Sequence, residues 1–503
     1  MRVRLRSPRL WRVPHHKLAT LFALACASLA FAGPAQADVN VGVVDDRPVV
    51  TLDGGAAFFA LMNDVGMREV RLTAQWDPAA PPTEIEHELY LTSMMPVAAL
   101  RGVRVVFSVQ ALKAASVTGT PDGAAKFAAF LQRLARTYPT VKDYIVGNEP
   151  NESRFWQPQF DGRGRSAAPA AYHELLARSY DALKGVDPTI NVIGVGLSPD
   201  GTDRPFASGG ISHSPVKFLR GLGAAYRQSG RRKPIMDNFA FHPYPNKDRD
   251  ALSTGYEWPN AGIPNLGRVK QAFWDAFHGT PQRTFEQGLR MKLDEVGWQV
   301  AVVPSAQGSY FGAESIQPTD EATQASIYAA LLREVACDPA VDSVLFFGFQ
   351  DEPNLERWQS GLIRADGTPR PSYHAVKAQL AATQGRCTGR QTSWRHSTTP
   401  DGASAVFPRD RRLPHRVNSW SFLARAEEDA LFEAGIHRFN GRRGARALGA
   451  SGRLDARVTR FVRFPGRRLR PGRYVYSINF RAAMNPGRTL RRTSRPFTVY
   501  RAR

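Results

Sequence analysis

From residue 38 to about residue 382, short apolar runs rich in Val, Ile and Phe alternate with stretches whose apolar residues recur at helical period. This alternation is the pattern of repeated βα units around a parallel sheet. Eight strand-like runs can be placed, at 39–44, 69–73, 103–109, 143–147, 191–196, 238–241, 290–294 and 344–349. Eight units over this length predict a closed (β/α)8 TIM barrel, in which residues at the C-terminal strand ends share one mouth. Helix start signals agree with this register. Thr120 and Pro121 precede a helix over 123–138, and Thr319, Asp320 and Glu321 precede one over 325–337. The long connection 244–289, with Tyr256, Trp258 and Pro259, is expected to build part of the cleft above the barrel.

The pattern changes past Gly385. Residues 388–404 are polar and read as a linker between the barrel, 38–387, and a second domain, 405–503. The latter contains alternating runs such as Trp420-Ser421-Phe422-Leu423 and Arg473-Tyr474-Val475-Tyr476-Ser477-Ile478, separated by Gly, Pro and Asn, which predict a small antiparallel β-sandwich. At the other end, basic residues precede an apolar run from Leu18 to Ala32 and then Ala35-Gln36-Ala37, the layout of a cleavable secretory signal over 1–37. That run is shorter than the roughly 20 residues of a spanning helix, and no later run is long and apolar enough. The mature chain is therefore expected to be secreted or held at the cell envelope, with no transmembrane span. Cys26 leaves with the signal, so Cys337 and Cys387 remain for one disulfide or two free thiols. Both should lie at the bottom face, where the seventh and eighth barrel helices end, which favours the bridge.

Charge refines the picture of the second domain. The formal net charge is +22, and residues 401–503 contribute about +17 of it through 24 arginines, no lysine and seven acids. Arginine without lysine reads first as compositional bias on a solvated surface. A weak contact with an anionic envelope polymer is the functional alternative, and specific nucleic-acid recognition is not expected.

The candidate chemistry sits at strand ends. The fourth run leads into Gly147-Asn148-Glu149-Pro150, and the seventh into Asp294-Glu295-Val296-Gly297-Trp298, so both deliver a carboxylate to the same rim. Two carboxyl groups facing each other are what glycosidic cleavage needs, one as acid/base and one as nucleophile. The sixth run leads into His242-Pro243-Tyr244, and Arg71 lies on the second. Aromatic faces stack on sugar rings, which makes Trp76, Trp156, Trp258 and Trp298 candidate platforms, with Trp298 favoured for its closeness to Glu295. Asp351 and Glu352, after the eighth run, are candidates only for contacts to substrate hydroxyls.

Over residues 38 to about 385 this arrangement resembles the large clan A of (β/α)8 retaining glycoside hydrolases, which includes the cellulase-like family five and the xylosidase-like family thirty-nine. The resemblance implies that Glu149 is the acid/base and Glu295 the nucleophile. It further implies that Asn148 bonds the sugar 2-hydroxyl, that Tyr244 of a His-x-Tyr motif with His242 donates to Glu295, and that Arg71 is the nucleophile's charge partner. Two positions depart from the clan pattern: Ser108-Val109-Gln110 stands where cellulase-like members often have histidine, and Phe347 and Phe349 stand where tryptophan is usual. The substrate implied is a carbohydrate. No metal or cofactor is implied, since the mature chain lacks His-x-His, His-Glu-x-x-His, paired-cysteine and Gly-x-Gly-x-x-Gly signatures. Serine hydrolysis lacks its Gly-x-Ser-x-Gly elbow. A carbohydrate-binding or envelope-tethering protein that kept the barrel and lost turnover is the rival reading.

Overall fold

The computed structural model describes residues 38–417, 419–466 and 468–501. The proposed secretory signal over 1–37 lies outside the described residues. Strands β1 (Asn40–Val44), β2 (Glu69–Trp76), β3 (Arg104–Ala111), β4 (Asp143–Val146), β5 (Asn191–Leu197), β6 (Asn238–Phe241), β7 (Arg290–Val296) and β8 (Val341–Phe347) pair in parallel, in chain order, and close into a barrel. Closure depends on a glycine in β1. A Cβ on Gly42 would lie 1.8 Å from the Glu69 carbonyl oxygen, so no other residue lets β1 approach β2 here.

Each strand is followed by a helix packed on the barrel wall, because each helix carries one apolar stripe. In Gly123–Thr137, Phe127, Phe130, Leu131 and Leu134 are buried at the spacing of a single helix face. Its N-cap position is Asp122, without a side-chain cap, rather than Thr120. The helix Glu321–Val335 starts earlier than its apolar run suggests because the Asp320 carboxylate accepts from the Thr323 N–H at 2.8 Å. β8 likewise begins three residues before the apolar run. Asp342 and Ser343 look like loop residues in the sequence, but both bind the buried Lys292 ammonium inside the barrel, at 3.4 and 2.7 Å. Cys337 and Cys387 form a disulfide just beyond the helices Glu321–Val335 and Pro371–Thr383.

The C-terminal part contains β9 (Ser404–Val406), β10 (Arg412–Pro414), β11 (Trp420–Arg425), β12 (Ala430–Phe439), β13 (Arg443–Leu454), β14 (Arg460–Phe464), β15 (Gly472–Ala482), β16 (Thr489–Thr493) and β17 (Phe497–Tyr500). One sheet has the order β10-β17-β15-β12-β13 with β16 also on β15; the other is β14-β11-β9. Pairing is antiparallel except between β10 and β17. Trp420, Phe422 and Phe464 of the smaller sheet pack on Tyr476, Ile478 and Phe497 of the larger, forming the sandwich core.

Residues 388–404 lie along the barrel rather than free of it. His396 stacks on Trp274 at 4.0 Å and bonds Glu286 at 2.9 Å, and the Ser397 N–H donates to Gln271 at 2.7 Å. Arg488 of the sandwich joins Asp275 of the barrel at 3.1 Å and Glu428 at 2.7 Å.

Candidate active site

The turn after β4 sets the first carboxylate. Gly147 and Glu149 both adopt left-handed backbone, at φ 81° and 37°, and the Glu149 N–H donates to the Gly196 carbonyl at the end of β5 at 2.8 Å. A glutamate in that region is strained, and strain of this kind gathers where a side chain must be aimed. Glu149 is thereby turned into the mouth, its side chain 14% exposed.

The second carboxylate depends on a bulge. β7 pairs with β8 at Leu293↔Val344 and then at Val296↔Phe346, so Asp294 and Glu295 together face a single residue of β8. A bulge breaks the alternation that would send neighbouring side chains to opposite faces. Asp294 and Glu295 therefore both enter the polar cluster at the top of the barrel.

Arg71 binds this cluster together. Its guanidinium meets Glu295 in a close ion pair, donates to Asn148 Oδ1 and Ser108 Oγ at 2.8 Å each, and lies 3.6 Å from Asp294. The Tyr244 hydroxyl donates to the other Glu295 oxygen at 2.9 Å. His242, fully buried, bridges the carboxylates: Nδ1 is 2.9 Å from Glu149 and 3.5 Å from Glu295, and Nε2 is 3.2 Å from Asp294. One donor atom from each of Glu149, His242 and Glu295 lies within 4.8 Å of the others. Such a trio can also ligate a cation. Here His242 Nδ1 bonds Glu149 and Arg71 bonds Glu295.

The environments of the acidic groups differ. Burial raises the Glu149 carboxyl above the usual range, against the opposing pull of His242. Asp294 is held below its ordinary value because His242 and Arg71 outweigh its burial. Burial disfavours charge on His242, yet Glu295 and Asp294 overcome this and push it up to about 10. A group raised in the folded state stabilises the fold fully below its ordinary value and loses that contribution as pH rises through the folded one. The His242 contribution should thus be complete below pH 6.5 and fade as pH climbs through about 10. Urea midpoints measured at both ends of this window should fall more for the parent protein than for His242→Asn. An equal fall would remove His242 as the source.

Tyr244→Phe deletes one hydrogen bond to a charged acceptor, worth about 1.5–3 kcal/mol. We expect kcat/KM to fall about 10- to 150-fold with the circular dichroism spectrum unchanged. A fall of less than about threefold would mean that Tyr244 does not position Glu295.

Three tryptophans expected to stack on sugar do not present a free face. Trp298 is 2% exposed, its indole N–H donating to the Asp250 carbonyl at 3.0 Å; Trp76 packs edge-on against Phe127, and Trp156 against Tyr172. All three are core. Trp258 lines a cavity of about 350 Å³ between barrel and sandwich, with Trp394 and Arg268. Neither Glu149 nor Glu295 lines that cavity, and of its three acids, Asp275, Asp401 and Glu428, the first and last share Arg488. Asp351 is no substrate contact either: it is buried against Arg370 and the Tyr310 hydroxyl at 2.7 and 2.6 Å.

The aromatic residue that does reach the site is Trp358. It is half-buried in the loop after β8, with its ring 5.1 Å from Tyr244 and 5.5 Å from Phe347. Glu152, three residues past Glu149, is a further neighbour. Burial and the charges of Glu149 and Asp200 push it up to about 8.

No protein-family profile matches the sequence, and no curated protein matches it. Solved structures of similar fold include a family 39 glycoside hydrolase from Bacteroides cellulosilyticus WH2, at 17% identity and TM-score 0.47 over 85% of this chain and 81% of that one. A GH39 β-xylosidase from Caulobacter crescentus follows at 17% and 0.46, over 80% and 83%. An endo-β-1,4-mannanase from Thermotoga petrophila stands at 12% and 0.40, over 93% and 99%. These fold neighbours are glycoside hydrolases. Likeness at this distance assigns no activity to the present chain, whose function has to be argued from its own side chains.

Proposed function

We propose that this protein is a secreted retaining glycoside hydrolase that cleaves O-glycosidic bonds of a poly- or oligosaccharide by double displacement. The observation that carries this reading is the carboxylate pair, Glu149 and Glu295, with donor oxygens within 4.8 Å. Retaining enzymes hold the two groups about 5–5.5 Å apart, whereas inverting enzymes need about 6.5–9.5 Å to fit a water between them. An oxygen of each group within 4.8 Å of the other falls towards the retaining spacing, which supports this reading.

The roles follow from the surroundings. Both oxygens of Glu295 accept hydrogen bonds, from Tyr244 and Arg71, so the carboxylate is oriented as a nucleophile. Burial of Glu149 favours its protonated form, which suits it to give a proton to the leaving oxygen. In the first step Glu295 bonds to the anomeric carbon while the glycosidic C–O bond breaks and the Glu149 proton moves to the departing oxygen. In the second, Glu149 takes a proton from water, the water oxygen attacks the anomeric carbon and Glu295 is released. His242 bonds Glu149 and is held in turn by Asp294, which stabilises the charge left on Glu149 between the steps.

The test is a panel of polysaccharides and aryl glycosides followed by proton NMR during the first minutes of hydrolysis. The first-formed anomer should keep the substrate's configuration. An inverted first product would overturn double displacement, and binding without hydrolysis would favour the carbohydrate-binding rival.

A further inference from the structure

The larger sandwich sheet has two unlike faces. Alternation sends Ala434, Ile436, Ile478 and Phe480 into the core and leaves Gly435, His437, Ser477 and Asn479 on the outer side. Those small outer residues let arginine side chains lie across the strands. A Cβ on Gly435 would meet His437 Nε2 at 2.4 Å and the Arg446 stem at 3.1 Å, and Arg443, from β13, reaches over β12 to donate to Ser477 of β15 at 3.4 Å. Ser477 is 4% exposed although it points away from the core, as expected beneath such a stem.

His437 senses the resulting charge. Burial lowers its pKa, and Arg443, Arg446 and Arg491 add to the effect, so three guanidiniums converge on one imidazole. Five acids of the sandwich are engaged elsewhere, Glu433 with Arg481, Asp429 and Asp455 with Arg453, Glu427 with Arg425 and Arg457, and Glu428 with Arg488, and the sixth, Asp410, lies in the loop before β10. Among the described residues, no carboxylate forms an ion pair with Arg443, Arg446 or Arg491. Like charges gathered without a counter-charge produce a strong local positive potential.

We propose that this outer face binds a carboxylated polysaccharide laid across β13, β12, β15 and β16, its carboxylates meeting the forks of Arg443, Arg446 and Arg491. From β13 to β16 is three strand spacings, about 14 Å, which suits an oligomeric ligand better than a single sugar. Guanidinium forks match carboxylates in two-point geometry, and Asn479 offers its amide to hydroxyls. Single-stranded nucleic acid would call for a row of aromatic platforms and a bilayer for apolar side chains to insert; the middle of the face is Gly435, Ser477 and Asn479, with Leu431 and Phe439 only towards the two ends of β12. This inference stands apart from the barrel chemistry and survives its failure.

Binding of the full chain to polygalacturonate in 50 mM NaCl tests it, with neutral galactan, duplex DNA and phosphatidylserine vesicles alongside. The exposed triple variant Arg443→Ser, Arg446→Ser, Arg491→Ser should weaken polygalacturonate binding at least about tenfold. A charge-matched triple away from this face, Arg460→Ser and Arg463→Ser in β14 with Arg468→Ser beyond its end, should change it less than about threefold, with turnover by the barrel intact in both. Binding by the parent chain should also weaken as salt rises. Equal losses in the two triples, no binding to polygalacturonate, or tighter binding to DNA or vesicles through the same arginines would each overturn the proposal.

Discussion

Glu295→Gln should lower kcat/KM on an activated aryl glycoside by about 10⁴-fold or more, because the variant has no nucleophile to form the covalent intermediate. The amide is nearly isosteric and can still accept from Tyr244, so the barrel should remain folded. Removing the negative charge nevertheless leaves Arg71 and His242, both buried, with Asp294 as their remaining close carboxylate besides Glu149. Thermal stability should therefore fall modestly while activity collapses. Circular dichroism and initial rates on the same preparation separate the two effects. Undiminished turnover would remove Glu295 from the chemistry.

Glu149→Gln should show a loss that depends on the leaving group. Where the departing group is a sugar hydroxyl, which must be protonated, kcat/KM should fall about 10²- to 10⁴-fold. With a dinitrophenyl glycoside the leaving anion is stable without a proton, so the loss in kcat/KM should be far smaller. The second step would then be slow for want of a base, and a burst of dinitrophenolate should precede the steady state. Equal losses on both substrates would show that Glu149 does not act as the acid. The burial that holds its carboxyl high makes proton donation the natural role.

Much of this arrangement was legible in the sequence because a barrel converts strand order into position. Apolar runs separated by amphipathic stretches located all eight strands to within a few residues, and the ends of the fourth and seventh then marked Glu149 and Glu295. The errors have local physical causes. Period-two alternation places Asp294 and Glu295 on opposite faces, and the bulge that brings both into the cluster leaves no sign in the sequence. Asp294 was missed for that reason, although it anchors His242. Trp298 misled because closeness along the chain to a functional residue does not decide which way an indole turns, and this one turns into the core to reach the Asp250 carbonyl. Trp358 could be found only in space, since the loop after β8 folds it back over Tyr244. Ser108, which carries no chemical signal of its own in the run Ser108-Val109-Gln110, is a hydrogen-bond acceptor for Arg71.

The central claim is that Glu295 becomes covalently bonded to sugar. Incubation with a panel of 2-deoxy-2-fluoro glycosides bearing good leaving groups slows the second step and accumulates that intermediate, which mass spectrometry of the intact chain and its peptides can locate. The account predicts a single added fluoroglycosyl mass on the peptide that carries Glu295, absent from Glu295→Gln. Attachment at Glu149 or any other residue would contradict it.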